Sequence, residues 1–581
     1  LHENEALMKR LLIVHVVMAA AVLAMLPLVA CSTSTNPPDD VVVDVVDNGT
    51  DPDVTGDVVP DVTPDVVPDV VPDVVVDTVE AVEPPLPFGP ENRGYVAKRG
   101  IAHIHSRWSH DGCYPNHEDI TSPEIVACDS IEDEVAREAC KAPHREALLV
   151  DCETEYRDAP CANGIDFMFQ TDHPGDVRDQ TYEDALHFRS ESGDVMVKDG
   201  QDRKIANQIT CAEGSAVDKF FVYFGTEGSK QMPIGMADPV PEIVYNTSFE
   251  NSTPLVDAQA AIQVIHDLGG WALACHTEQD DIDAQRIIDL PLDIMEIFNF
   301  HPALMVIITD INILFQLDRF MSSDADAPNP DLSMLTILAP VANDPLRFDV
   351  AAQQIRLSHI LATDIHRNVE IPKLCETAES CGDNWIATYP NLARLLATGG
   401  PAILGDGDRM DSYMRALRWG SNHVLVAGEA GPLEIRDAIG LGRSFSAFDV
   451  MGIPSGFDFF AVIDGTQALE MGAEAVATSD VKVYFRTPTI TKPLFGTDKF
   501  GDPTTAEIVT KLIKIDETDG SKVVAEIPGQ GKTFEYVVDG PAVFRIEVWM
   551  TPKHLAADLG NMSEFAAKSY PYIYSNALFI R

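Results

Sequence analysis

"GIAHIHSRWSHDG", residues 100–112, sets two imidazoles, His103 and His105, one residue apart at the end of a short apolar run. In a strand, residues i and i+2 point to the same face, so both rings can aim at one point. A histidine on its own is as readily a hydrogen-bonded core or surface residue. The pair acquires meaning only if matching groups end other strands.

They do. Between about Gly94 and Gly428 short apolar runs alternate with helical stretches, the signature of βα units and a parallel sheet or barrel. "GIDFMFQTDH" ends in Asp172 and His173, "KFFVYFGTE" in Glu227 and "GGWALACH" in His276. "DIMEIFNFH" ends in His301, and "SHILATDIH" in Asp364 and His366, which repeat the one-residue spacing. Catalytic groups of a barrel gather at the carboxyl ends of its strands. Imidazole nitrogen with carboxylate oxygen suits zinc, iron or manganese and not calcium.

Taken in order, "HIHSRWSHDG", "TDH", "GTE", "ACH" and "TDIH" resemble the motif series of the PHP family, named for polymerase and histidinol phosphatase, over roughly Gly94 to Val426. The resemblance implies a distorted (β/α)7 TIM-like barrel with two or three divalent metal ions at its mouth. Carried over, His103 and His105 would bind one ion, Glu227 would bridge it to a second, and Asp364 would complete it. His276 would hold the second ion, and Asp111, His173 and His366 the third. Glu227, Asp364 and Asp172 are the catalytic candidates, with Asp172 placed to support a loop or a ligand.

The chain also departs from that pattern. The usual "SDG" is "SHDG", which moves Asp111 one residue further from His105 and leaves His110 as a rival ligand. A Cys-rich insert over 113–161 should rise as a lid beside the mouth. "AHP" is replaced by "CHT". His266 and His301 are the remaining histidines that could be drawn toward the site.

Clustered divalent cations lower the pKa of a bridging water toward neutrality and neutralise charge on a phosphoryl or carbonyl oxygen. The resemblance therefore implies a metal-dependent hydrolase of a small-molecule ester, a phosphoesterase first. A carbamate, amide or ester hydrolase of the same fold, or a non-catalytic ligand-binding lipoprotein, are the alternatives. No Walker loop, Rossmann glycine fingerprint or GxSxG elbow is present, which sets aside kinase, dehydrogenase and serine-hydrolase chemistry.

The flanks speak to location. Met8-Lys9-Arg10 is a basic head, followed by "LLIVHVVMAAAVLAMLPLVA" and Cys31, the pattern of a signal peptide ending in a lipobox over residues 1–31. An uncleaved membrane-spanning helix is the other reading of so long an apolar run. Residues 32–90 hold a Val-Pro-Asp repeat that, from Ser32 to Pro87, has no lysine, arginine or aromatic residue. Its prolines remove ladder donors and its aspartates repel, so it reads as an extended tether. An exported lipoprotein of the cell envelope, at the outer membrane and held there by lipid on Cys31, is the expectation. The formal net charge of −51 argues against nucleic acid as a partner. Apart from Cys31 there are nine cysteines, five of them in the insert. Export permits disulfides, the spacings lack CxxC for a zinc knot, and Cys275 inside an apolar run reads as a buried free thiol, leaving eight to pair.

Beyond residue 450 the pattern changes to short alternating strands such as "FDFFAVID", "VKVYFRTP" and "AVFRIEVWM", divided by turn residues. That spacing predicts a small all-β sandwich over 451–581, after a barrel over 91–450. Phe544 and Trp549 read as core, with a carbohydrate platform as the alternative. Mass spectrometry of the mature chain is expected to find lipid on Cys31 and nothing before it; an intact N-terminus with a bare thiol would defeat the lipoprotein reading.

Overall fold

The computed structural model describes residues 93–581 apart from 114–122, 310, 339–343, 372, 382–386, 429, 466, 477–479, 497–498 and 517–519. The expected signal peptide, Cys31 and the tether lie outside the described residues.

Three apolar runs become adjacent parallel strands. These are β1 (Tyr95–Ile104), β2 (Phe167–Gln170) and, after a hairpin of β3 (Val195–Lys198) and β4 (Lys204–Thr210), β5 (Lys219–Phe224). Strands buried on both faces are near-continuous apolar runs rather than alternating, as β2 and β5 are apart from Gln170 and Lys219 at their ends. Gly100 is required in β1, because a Cβ there would lie 2.3 Å from the Phe167 ring on β2. Three further strands, β6 (Leu273–Ala274), β7 (Ile294–Asn299) and β8 (Ser358–Ala362), form a separate parallel sheet. Among the helices, α1 (Glu134–Asn163) dominates the Cys-rich insert. It starts at Asp133, whose side chain accepts from the Ala136 N–H, and stops at Gly164 with φ of 68°.

The closed (β/α)7 barrel expected from the sequence is not found among the described residues. A barrel needs an unbroken ring of ladder hydrogen bonds. Here β5 pairs next with the antiparallel β4, and β1 with the antiparallel β9 (Ser421–Ala427). Among the described residues the β-bridges from the β6–β7–β8 sheet to the rest are isolated ones, Ile104–Ile365 on one side and Gln231–Ala274 and Ile234–Trp271 on the other. The result is a mixed α/β arrangement around a large mixed sheet, with the smaller parallel sheet beside it.

The large sheet continues past β9 through β10 (Ser444–Ala447) into the C-terminal strands. Those strands are β11 (Asp458–Ile463), β12 (Gln467–Glu470), β13 (Val481–Arg486), β14 (Glu507–Asp516), β15 (Gly520–Pro528), β16 (Thr533–Val537), β17 (Ala542–Thr551), β18 (Tyr570–Ser575) and β19 (Leu578–Ile580). From a short edge strand at Glu474–Ala475 its order is β19–β17–β18–β10–β9–β1–β2–β5–β4–β3, with β14 and then β15 off β17. A second sheet runs β12–β11–β13–β16. Phe544 is fully buried, while Trp549 is half-buried with its indole N–H donating to Glu547.

Eight cysteines pair as Cys113–Cys152, Cys128–Cys140, Cys161–Cys211 and Cys375–Cys381, and the buried Cys275 keeps a thiol outside these disulfides. The C-terminal strands are tied to the earlier part by a buried ion pair. Arg545 on β17 donates to both oxygens of Asp349 at 2.6 and 2.9 Å, and Asp349 sits on α2 (Asp344–Ala352). Breaking a buried pair from one side strands the other charge. Asp349→Ala is expected to cost about 3 kcal/mol, the low end of the usual range because Glu547 still faces Arg545. Chemical denaturation would check this, and a loss below about 1 kcal/mol would show the pair to be incidental.

Candidate metal centre

The ligand-bearing strand ends meet at one seam. The His105 N–H donates to the Ile365 carbonyl at 3.1 Å, and the Asp364 N–H to the His103 carbonyl at 2.9 Å, so β1 and β8 are latched where their ligands emerge. Asp364 and His276 both take left-handed backbone, with φ of 51° and 50°. A non-glycine residue holds that conformation only when its surroundings over-determine it.

The imidazoles share one orientation. His103 Nδ1 lies 2.6 Å from Glu296 Oε1, His173 Nδ1 lies 3.0 Å from the Glu227 carbonyl, and His366 Nδ1 lies 3.0 Å from the Asp364 carbonyl. Carboxylates and carbonyls only accept, so Nδ1 carries a proton in each, and Nε2 faces the cluster, where it offers a lone pair once its own proton is displaced. His105 follows suit, with Nδ1 3.2 Å from Ser109 Oγ, whose hydroxyl donates to Asp111 Oδ1 at 2.8 Å.

The Nε2 atoms converge on three carboxylates. Those of His103 and His105 lie 3.1 Å apart, and 3.3 and 2.9 Å from Glu227 Oε2. Asp364 Oδ1 is 3.2 Å from the first and 3.5 Å from the second. His276 Nε2 reaches the other Glu227 oxygen at 2.6 Å. Asp111 Oδ2 lies 3.1 Å from His173 Nε2 and 3.3 Å from His366 Nε2. Among the described residues five groups share members of this cluster: His103 with His105, Glu227 and Asp364; His105 with His173, Glu227 and His366; His110 with Asp111 and His173; His301 with Asp364 and His366; and His276 with Glu278 and Glu296. Within each, ligand atoms fall within 4.8 Å of one another.

The electrostatics are one-sided. Burial opposes charge on His103, yet Asp364, Glu227 and Glu296 outweigh it and push its pKa up to about 10. Burial likewise opposes charge on Glu227 and Asp364, but the surrounding imidazoles hold both carboxyls well below the usual range. So many lone pairs and carboxylates in a buried mouth require positive charge among them. Protons on the rings would supply some of it, and divalent cations would supply it with the tautomers already in place.

All eight sequence-predicted ligands, His103, His105, Asp111, His173, Glu227, His276, Asp364 and His366, come together here. Asp172 does not point into the cluster. It is fully buried and accepts from the Ser106 N–H at 2.6 Å, the Ser106 hydroxyl at 2.7 Å and Gln170 Nε2 at 2.6 Å, so it shapes the loop after β1. His110 turns outward to Asp176 at 2.9 Å, and His266 pairs with Asp293 at 2.8 Å. His301 sits beside the cluster, its ring 5.0 Å from that of His366. Glu296 escaped the sequence reading. It lies inside the apolar run of β7 and accepts from both His103 Nδ1 and, at 2.7 Å, the His276 N–H. An acidic residue within so apolar a strand was the available signal.

No family model and no curated protein matches the chain. Among solved structures, it is similar to a two-domain protein from Bacteroides vulgatus ATCC 8482 containing a predicted PHP-like metal-dependent phosphoesterase. The identity is 11%, the TM-score 0.27, and the match covers 83% of this chain and 96% of that one. So loose a likeness carries no argument about this chain, and the site geometry has to stand alone.

Glu227→Gln keeps the shape but removes the carboxylate shared by His103, His105 and His276. Metal affinity is expected to fall by at least about 10–100-fold, with Asp172→Asn costing less. Elemental analysis of the purified variants checks this, and equal metal retention in wild type and Glu227→Gln would remove Glu227 from the centre.

Proposed function

We propose that the chain is a metal-dependent hydrolase, in first place a phosphoesterase, using two or three divalent ions of the zinc, manganese or iron kind. The observation that supports this is the common orientation of the imidazoles, Nδ1 bonded outward and Nε2 turned toward Glu227, Asp364 and Asp111. Nitrogen and carboxylate donors in this mixture fit those metals. His103, His105, Glu227 and Asp364 would hold one ion, Glu227 and His276 a second, and Asp111, His173 and His366 a third. Bound there, such ions would act as Lewis acids and lower the pKa of a water.

The chain's own residues do the positioning. Glu296 fixes His103 through Nδ1 and the backbone of His276 through its N–H, so one carboxylate sets two ligand directions. Asn299 donates to Asp364 Oδ2 at 3.0 Å and so restrains the carboxylate that faces His103. Asp172 holds Ser106 and thereby the turn that carries Ser109 and Asp111. The concentration of cation-binding groups favours a substrate whose oxygens bear negative charge, which is why a phosphoester stands ahead of a carboxyl ester, amide or carbamate.

The test is metal analysis of the soluble part, chelator treatment and metal restoration, followed by a screen of phosphomonoesters, phosphodiesters, carboxyl esters and carbamates. Hydrolysis of a phosphoester that chelation abolishes and metal restores is expected. A fully metallated protein that cleaves none of these classes would leave the non-catalytic alternative.

A further inference from the structure

The insert that interrupts the first motif returns to it covalently. Cys113, two residues after Asp111, is bonded to Cys152 in α1, and both are fully buried. The helix is itself well fastened. Cys161 near its end is bonded to Cys211, Arg157 donates to both oxygens of Asp194 at 3.0 Å, and the Tyr156 hydroxyl donates to Gln170 at the end of β2 at 3.1 Å. Cys113 is therefore pinned to a rigid element that is anchored on the sheet.

Cys113 also takes left-handed backbone, with φ of 55°. Its N–H donates to the His366 carbonyl at 2.9 Å, which places it against the chain that carries the His366 ring. Between Ser106 and Cys113 the loop makes a tight pass, and a Cβ on Gly112 would lie 2.2 Å from the Ser106 carbonyl oxygen. Asp111 leaves this loop with its side chain one-third exposed, and its Oδ2 must still reach both His173 and His366. Of the ligand carboxylates it has the least burial to hold it.

We propose that the Cys113–Cys152 disulfide is a positioning device for Asp111, so that the ion shared by Asp111, His173 and His366 depends on it while the ion of His103, His105, Glu227 and Asp364 does not. The Cys-rich insert is then a clamp on one part of the metal centre. This rests on the metal-centre reading above. Cys113 and Cys152 are positioning residues, since neither touches the cluster's converging atoms.

The experiment is titration of chelator-treated protein with Zn2+ alone, following stoichiometry and affinity. Wild type is compared with Asp111→Asn, with Cys113→Ala/Cys152→Ala, and with Cys113→Gly/Cys152→Ala. The glycine version removes the link without straining a left-handed residue. Cys128→Ala/Cys140→Ala is the control, because that disulfide joins two positions remote from Asp111 in sequence and within the insert. Both Cys113 variants are expected to lose the same ion that Asp111→Asn loses, or to bind it at least about tenfold more weakly, with the other ions retained. The control should bind as wild type does. Wild-type stoichiometry and affinity in a cooperatively folded Cys113→Gly/Cys152→Ala protein would overturn the proposal. Failure of both Cys113 variants to fold would also overturn it, by making the disulfide a general staple. A wild type that takes up no Zn2+, or an Asp111→Asn protein that takes up the full amount, would instead bring down the metal-centre reading itself.

Discussion

Imidazole nitrogens turned toward carboxylates cannot share a buried mouth without positive charge between them. The molecule satisfies half of that condition by construction. Glu296, the Glu227 carbonyl and the Asp364 carbonyl each take one ring proton, and thereby aim the opposite nitrogen inward. The seam between β1 and β8, joined by one bridge at Ile104 and Ile365, is where this happens. Incomplete pairing at that seam lets His105, Asp364 and His366 leave the ladder and turn toward a common centre.

Much of the centre was legible because it depends on local rules. The i, i+2 spacing of His103 with His105 and of Asp364 with His366 fixes a shared face from strand geometry alone. The placement of ligands at strand ends follows from where apolar runs stop. Asp111 was named through the motif resemblance, with His110 as its rival, and the folded turn separates them: Asp111 reaches His173 and His366 while His110 turns to Asp176. Glu296 was hidden. Its role lies in a hydrogen bond across strands, and a single acidic residue in "IMEIFN" does not announce its partner.

The architecture was less readable than the site. Apolar runs alternating with helices establish strand type, but ladder partners are set by contacts distant in sequence. The antiparallel neighbours β4 and β9 occupy edges that a closed ring would have given to parallel strands. Likewise β10 hands the sheet on to β18, so residues 444–447 and 570–575 lie side by side although the composition changes between them. Disulfide partners were unreadable in the same sense. Five insert cysteines cannot pair among themselves without remainder, and Cys211, the partner of the fifth, follows β4 well outside the insert.

The most direct measurement is a crystal structure of the protein grown with zinc, read by anomalous diffraction at the metal edge. The account predicts a peak within about 2.0–2.1 Å of His103 Nε2 and His105 Nε2, with Glu227 and Asp364 oxygens completing the coordination. Zinc bound through Nδ1 atoms, or peaks absent from the cluster with the rings hydrogen-bonded directly to the carboxylates, would contradict it.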